Sequence, residues 1–248
     1  MEEYKTFKGR IKKLQPRGKF ELDKKYFPIH PSVRMKVGSN NQFKSFYGDT
    51  TVFNLEREDK AKISPIISKL YEVAPECFSQ RLQESMLHMT LHDLSSSQNY
   101  EDVKEDVKKN ETKIKDILKV VSITPNTIRM RTKFITNILN ISLALVFTPI
   151  NEEEYNKLIT IYHLLDLVRE LDYFLTPHVT LGYYNIEGFD VASVKKLENL
   201  VRDLNKESFE ITLSTDKLVY QTFSSMNAYT DVFKLAWWTT KNRLPFAR

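Results

Sequence analysis

Cysteine is nearly absent: Cys77 is the single one in 248 residues. No intrachain disulfide can form, and no Cys and His cluster at zinc spacing exists, which places the chain in a reducing cytoplasm. Long apolar runs are missing as well. No window holds about 18 uninterrupted apolar residues, and the opening Met1-Glu2-Glu3-Tyr4-Lys5 leads into lysine-rich sequence with no apolar h-region, which points away from a secreted or membrane-spanning protein. Nor is there low complexity. With 41% hydrophobic, 28% charged and 12% aromatic residues, the balance is that of a soluble globular protein, and collagen, mucin and linker readings fall away. The length suffices for one large domain or two small lobes with a sizeable core.

The net charge is +5, which suits a partner or substrate carrying phosphate. Its distribution is uneven. Lys5, Lys8, Arg10, Lys12, Lys13, Arg17, Lys19, Lys24 and Lys25 face only Glu2, Glu3, Glu21 and Asp23, so the whole excess lies in the first 25 residues. Two readings of this segment stand side by side, a solvated tail and an arm that contacts RNA. Residues 1–45, punctuated by Pro16, Gly18, Pro28, Pro31 and Gly38, read as an N-terminal basic extension with short extended pieces such as Val33 to Val37. Residues 46–248 read as the main domain.

Within that domain Phe46 to Leu55 is rich in β-branched and aromatic residues and predicts a strand. Ile63, Ile66, Ile67, Leu70, Tyr71 and Ala74 predict a helix with Pro65 in its first turn and Pro75 as its stop. A short strand at Leu87 to Leu91, a polar loop from Ser95 to Asn99 and a helix from Tyr100 to Val120 follow, with Pro125 breaking the pattern. Ile128 to Phe134 and Ile141 to Phe147 predict a hairpin joined through Asn137 to Asn140. A helix from Glu152 to Leu171, a strand at His178 to Tyr183, a helix from Val191 to Asn205, and strands at Phe209 to Leu213 and Leu218 to Phe223 complete the reading. This is an α+β chain of two similarly laid-out halves, each with antiparallel strands and outer helices.

Two of the five histidines share a context: Leu87-His88-Met89-Thr90-Leu91 and Pro177-His178-Val179-Thr180-Leu181, ninety residues apart. On a strand, His88 and Thr90 project from one face while Leu87, Met89 and Leu91 enter the core, and the same holds for His178 and Thr180. A structural histidine at a strand edge explains either tetrad alone; the pair points to a site. His30-Pro31-Ser32-Val33 is a near-match whose proline opposes regular strand pairing.

The two tetrads resemble those of the two-histidine (2H) phosphoesterases, which include the 2′-5′ RNA ligase-like proteins and cyclic phosphodiesterases. That resemblance covers about Phe46 to Phe223. It implies two pseudo-symmetric lobes around a central cleft, with His88, Thr90, His178 and Thr180 facing one another as catalytic residues. Chemistry gives an independent reason for the arrangement. Opening a phosphodiester requires one proton removed from the attacking oxygen and one delivered to the leaving oxygen, and two imidazoles titrating near neutrality supply both. Two threonine hydroxyls can hold the nonbridging oxygens, and no metal or other cofactor is called for. Either histidine can be the base.

Arg129, Arg131 and Lys133 share one face of a predicted strand and are candidates for substrate phosphates. Tyr47 and Tyr183 are candidates for stacking on a base. His92 leaves the His88 face where its strand is expected to end, His163 sits mid-helix, and Cys77 has no histidine partner in sequence. The expected function is a metal-independent phosphoesterase acting on a cyclic phosphate or a 2′-5′-linked or cyclic (oligo)nucleotide. The alternative is a module that binds RNA or a nucleotide through the same cleft and the basic N-terminus without turnover. The expected partner is a phosphate-containing small molecule or an oligonucleotide, with no membrane.

Overall fold

The structure, a computed structural model, describes residues 2–15, 20, 26–124 and 126–236. In chain order the elements are α1 (Tyr4–Lys13), β1 (Tyr26–Phe27), α2 (Val33–Lys36), β2 (Tyr47–Asn54), α3 (Arg57–Val73), β3 (His88–Ser97), α4 (Tyr100–Val120) and β4 (Thr127–Ile138). Then come β5 (Ser142–Pro149), α5 (Glu152–Asp166), β6 (His178–Tyr183), β7 (Phe189–Asp190), α6 (Val191–Leu204), β8 (Glu210–Ser214), β9 (Leu218–Ser225) and β10 (Ala228–Lys234). Two four-stranded antiparallel sheets, in the orders β10-β9-β2-β3 and β6-β5-β4-β8, carry the fold, and β1 pairs with β7 beside them. The chain is therefore α+β, and each sheet ends on a strand that opens with a His-x-Thr sequence.

The halves repeat one construction. In the first, β2 runs into α3, whose Ile63, Ile67 and Leu70 are buried, and the chain returns as β3 antiparallel to β2. In the second, β5 runs into α5, which buries Tyr155, Leu158, Ile159 and Leu165, and returns as β6 antiparallel to β5. Asn99 and Asn151 cap α4 and α5 by accepting from the backbone N–H of Glu101 and Glu154. One core spans both halves and includes Phe53, Met89, Leu145, Phe147, Val179 and Leu181.

Several local expectations change. Val33 to Val37 is not extended: Val33–Lys36 forms a helical turn that buries Val33. Pro65 lies well inside α3, which begins at Arg57 rather than near Ile63, because the acids Glu58 and Asp59 favour an earlier start at the helix dipole. α5 stops at Asp166; the Val168 carbonyl beyond it accepts from Lys113 Nζ at 2.9 Å instead of continuing a helical ladder. The expected loop at Ser95 is strand. The buried Asp49 carboxylate accepts from Ser95 N and Oγ, from Asn110 Nδ2 and from the Tyr220 hydroxyl, so one acid ties β3, α4 and β9 to β2. β10 is an added strand that the sequence pattern did not call for. The loop proline Pro125 and the basic Arg17, Lys19, Lys24 and Lys25 lie outside the described residues.

Tyr4 to Lys13, expected within a basic extension, form α1, which buries Phe7 and Ile11 in the main core. Side chains of this size contribute roughly 1.5–3 kcal/mol each when buried. Arg10 pairs with Glu2 at 2.8 Å, and the Tyr155 hydroxyl of α5 donates to the Glu2 carbonyl at 2.6 Å. β1 is held to β7 through a glycine requirement: Gly188 has φ +73°, and a Cβ there would collide with the Phe27 carbonyl oxygen.

Candidate active site

His88 opens β3 and His178 opens β6, and both strands begin with the same alternation of half-buried and buried residues. Met89 and Leu91 are buried behind His88 and Thr90, as Val179 and Leu181 are behind His178 and Thr180. Because β3 and β6 are edge strands of their sheets, their projecting faces meet. His88, Thr90, His178 and Thr180 line one cavity together with Leu82, Met86, Leu87, Tyr183, Met226 and Tyr229.

The two histidines are held in the same way. His88 Nδ1 lies 2.8 Å from the Met86 carbonyl oxygen, and His178 Nδ1 lies 2.7 Å from the Thr176 carbonyl oxygen. A carbonyl only accepts, so Nδ1 carries the proton in each ring and Nε2 is the nitrogen left for chemistry. Both bonds reach back two residues, which follows from a bend just before each strand: Met86 ends a 3-10 turn at Glu84–Met86, and Pro177 precedes His178. Neither threonine hydroxyl hydrogen-bonds to a described residue, so both can donate to a ligand oxygen.

Burial is the main cause of a His88 pKa lowered to about 4; the Met86 carbonyl opposes the shift and the neighbouring His178 adds to it. His88 is therefore neutral at neutral pH. Tyr229 of β10 lies with its ring centroid 5.0 Å from that of His88. Burial holds the Tyr229 hydroxyl well above its usual pKa, so it remains protonated, and its contact is with the Met226 sulfur at 3.8 Å.

The structure brings five of the nine sequence-derived site residues together: His88, Thr90, His178, Thr180 and Tyr183. Tyr47 stands at the opposite end of the first sheet, paired with Ser97 and packed on Tyr100 at 5.6 Å. Arg129, Arg131 and Lys133 are exposed on β4 and are not among the described residues lining the cavity. Arg129 lies 3.4 Å from Glu154 and Arg131 lies 2.5 Å from Glu210. The expected end of the His88 strand before His92 is corrected. β3 continues to Ser97, and an irregularity opposite Thr51/Val52 turns His92 into the core, where Nε2 meets Asp166 at 3.1 Å. His163 meets the other Asp166 oxygen at 2.6 Å, and His30 is exposed beside Ser32. Burial pushes the Cys77 thiol up to about 12, which removes it as a nucleophile.

Sequence reasoning missed Leu82, Met86, Met226 and Tyr229. Tyr229, Thr230, Val232 and Phe233 are residue types that favour strands, although they show no regular alternation. Nothing in one sequence says that this strand folds back over the cleft. Among the described residues, no group of three or more His, Cys, Asp or Glu is placed to hold a metal ion, and no helix is long and apolar enough to cross a membrane.

No protein-family model matches the sequence, and no curated protein is similar to it. Solved structures with a similar arrangement exist. A conserved protein of unknown function from Agrobacterium tumefaciens, ATU0111, is 14% identical, with 81% of this chain and 90% of that chain covered and a TM-score of 0.57. TT0787 of Thermus thermophilus is 13% identical over 76% of this chain and 97% of that one, with a TM-score of 0.47. LigT of E. coli is 13% identical over 77% and 96%, with a TM-score of 0.45. At such identities the likeness to ATU0111 speaks for the fold, and the activity has to be argued from the site.

Proposed function

We propose that the protein is a metal-independent phosphoesterase that opens a cyclic phosphate, or a 2′-5′-linked or cyclic (oligo)nucleotide, by acid-base catalysis between His88 and His178. The observation that carries this reading is the duplicated geometry: two edge strands deliver His-x-Thr to one cavity, and each ring is fixed through Nδ1 to the carbonyl two residues earlier. A structural histidine needs one such bond; two equivalent rings, each leaving Nε2 for the cavity, suit a reaction with two proton transfers.

His88, neutral because it is buried, is the base. Its Nε2 takes a proton from the attacking water as the new P–O bond forms, and His178 gives its Nε2 proton to the departing ribose oxygen as the old P–O bond breaks. The product is a phosphomonoester, and proton exchange with solvent resets the pair. Thr90 and Thr180 donate to nonbridging oxygens, whose charge grows in the transition state. Tyr183 and Tyr229 wall the cavity.

The test is turnover of 2′,3′-cyclic mononucleotides by wild type, His88→Ala and His178→Ala. Each substitution lowers kcat by roughly 10²–10⁴-fold with the fold intact, and the double variant is hardly worse. Near wild-type turnover in both single variants overturns the mechanism. Salt-dependent RNA binding without any turnover replaces it with a binding module.

A further inference from the structure

The cavity between the His-x-Thr strands measures about 30 Å³, room for a phosphoryl group's oxygens and little else. The remainder of any substrate must lie beside it. A second cavity of about 410 Å³ adjoins on the far side of His88 and shares Met86, His88 and Tyr229 with the first. Its volume falls in the range typical of small-ligand sites, roughly 300–1,000 Å³.

The polar floor of this cavity has one sign of hydrogen bonding. Gln221 Nε2 donates to Asp231 Oδ1 at 2.5 Å and to Asn54 Oδ1 at 3.1 Å, and Asn54 Nδ2 donates to Asp231 Oδ2 at 3.1 Å. A carboxylate can only accept, so it fixes the orientation of both amides. Both Gln221 N–H groups are thereby used. Gln221 is 4% exposed, and its Oε1 is buried and accepts no hydrogen bond from a described residue. An unpaired buried acceptor is costly, which makes this atom a place where a ligand donor is gained. Asp231, exposed on the edge strand β10, keeps spare lone pairs beside it. Lysines supply the opposite character around the same cavity: Lys60, Lys217 and Lys234 line it, and Lys60 Nζ donates to the Ser85 carbonyl at 2.9 Å.

A ligand matching this surface brings adjacent N–H donors to Gln221 Oε1 and Asp231, and an acceptor toward the lysines. Among the nucleobases, guanine alone presents two adjacent donor positions, N1–H and the 2-amino group, next to a carbonyl acceptor. Uracil presents one donor between two acceptors, and adenine and cytosine present one amino group beside ring acceptors. We propose that the cavity floored by Gln221, Asp231 and Asn54 is a nucleobase subsite that selects guanine, placing the attached phosphate in the His-x-Thr cavity across His88. This rests on the phosphoesterase reading for its substrate class, and its own prediction concerns binding.

The experiment measures the affinities of 3′-GMP and 3′-UMP by calorimetry for wild type, Asp231→Asn and Gln221→Met, with melting curves to establish folding. Turnover of 2′,3′-cyclic GMP is followed separately. In wild type, 3′-GMP binds at least about tenfold more tightly than 3′-UMP, the discrimination expected of a well-placed donor–acceptor pair of contacts to a base edge. In Asp231→Asn, which trades an acceptor for a donor at an exposed position, the ratio falls toward one. Gln221→Met gives the same result where the protein folds. Equal affinities in wild type, no binding of either nucleotide, or a ratio unchanged in Asp231→Asn overturns the subsite. Guanine-selective binding without turnover of the cyclic nucleotide supports the subsite and removes the phosphoesterase reading, so the two fail separately.

Discussion

Protonating His88 in the folded protein is difficult, and the difficulty can be measured as stability. Burial is the main cause of a pKa lowered from 6.5 to about 4. In the unfolded chain the ring titrates near its ordinary value, so between about pH 6.5 and 4 the unfolded state binds more protons than the folded one. The stabilising contribution is complete above pH 6.5 and is lost as the pH falls through 4. At about 1.4 kcal/mol per tenfold change in affinity, full loss amounts to roughly 3 kcal/mol, and solvent at the cavity mouth trims this toward about 2. That is a sizeable share of a domain's total of about 5–15 kcal/mol. Urea unfolding of wild type and His88→Asn at pH 7 and pH 4.5 isolates the effect. Asp49, whose pKa is raised by burial, titrates in both proteins and cancels. Wild type should lose about 2 kcal/mol more than the variant over this interval. Proton–carbon correlation spectra of the imidazole should place the His88 midpoint near 4, and kcat/KM should hold down to the same region before falling. Parallel stability curves together with a midpoint near 6.5 would refute the reasoning and remove the assignment of His88 as the base.

Thr90→Val and Thr180→Val should each lower kcat/KM by roughly 10–10³-fold, while Thr→Ser at either position keeps most activity, because the hydroxyl and not the methyl holds the phosphate. Steady-state kinetics on a cyclic mononucleotide checks both. Incubation with EDTA should leave turnover unchanged; loss of activity restored by a divalent ion would assign the chemistry to a metal instead. Arg10→Ala should lower kcat by up to about 100-fold with KM little changed, because Arg10 donates to the Leu175 carbonyl at 2.8 Å and to Thr176 Oγ1 at 3.0 Å, and Thr176 holds His178. Partial recovery in Arg10→Lys would distinguish this positioning from a general loss of stability.

The parts of the fold that were legible in the sequence are those where local signals agree. α4 matches its expected bounds, Tyr100 to Val120, because one apolar stripe and an Asn99 cap agree. β6 matches at His178 to Tyr183 because alternation and a preceding proline agree. Where tertiary contacts decide, sequence reading stops short. Ser95 and Ser97 carry no strand propensity, yet they are strand because Asp49, brought from β2, supplies the partners that make Ser95 satisfiable in the interior. The His-x-Thr quartet was legible because its chemistry repeats within the chain. Arg129 and Arg131 share a strand face as expected, but Glu154 and Glu210, distant in sequence, meet them there. Tyr229 was illegible for the complementary reason: its role depends on β10 closing over His88, a contact between residues far apart in the chain.

The equivalence of the two histidines ends at the carbonyls that hold them. Met86 belongs to a 3-10 turn that leads into β3, close to the hydrophobic side chains Leu82 and Leu87 in the cavity wall. His88 stands between this wall and the polar cavity lined by Lys60 and Gln221, with Tyr229 against it, and burial favours its neutral form. Thr176 instead belongs to a connection braced by the Arg10 guanidinium, which is itself paired with Glu2. The helix α1 therefore reaches from outside the duplicated halves to one of the two rings only. The pseudo-symmetry of the pair is thus broken by its supports, one histidine having Tyr229 against it and the other tied through polar contacts to the N-terminal helix, and on this difference the proposed division into base and acid rests.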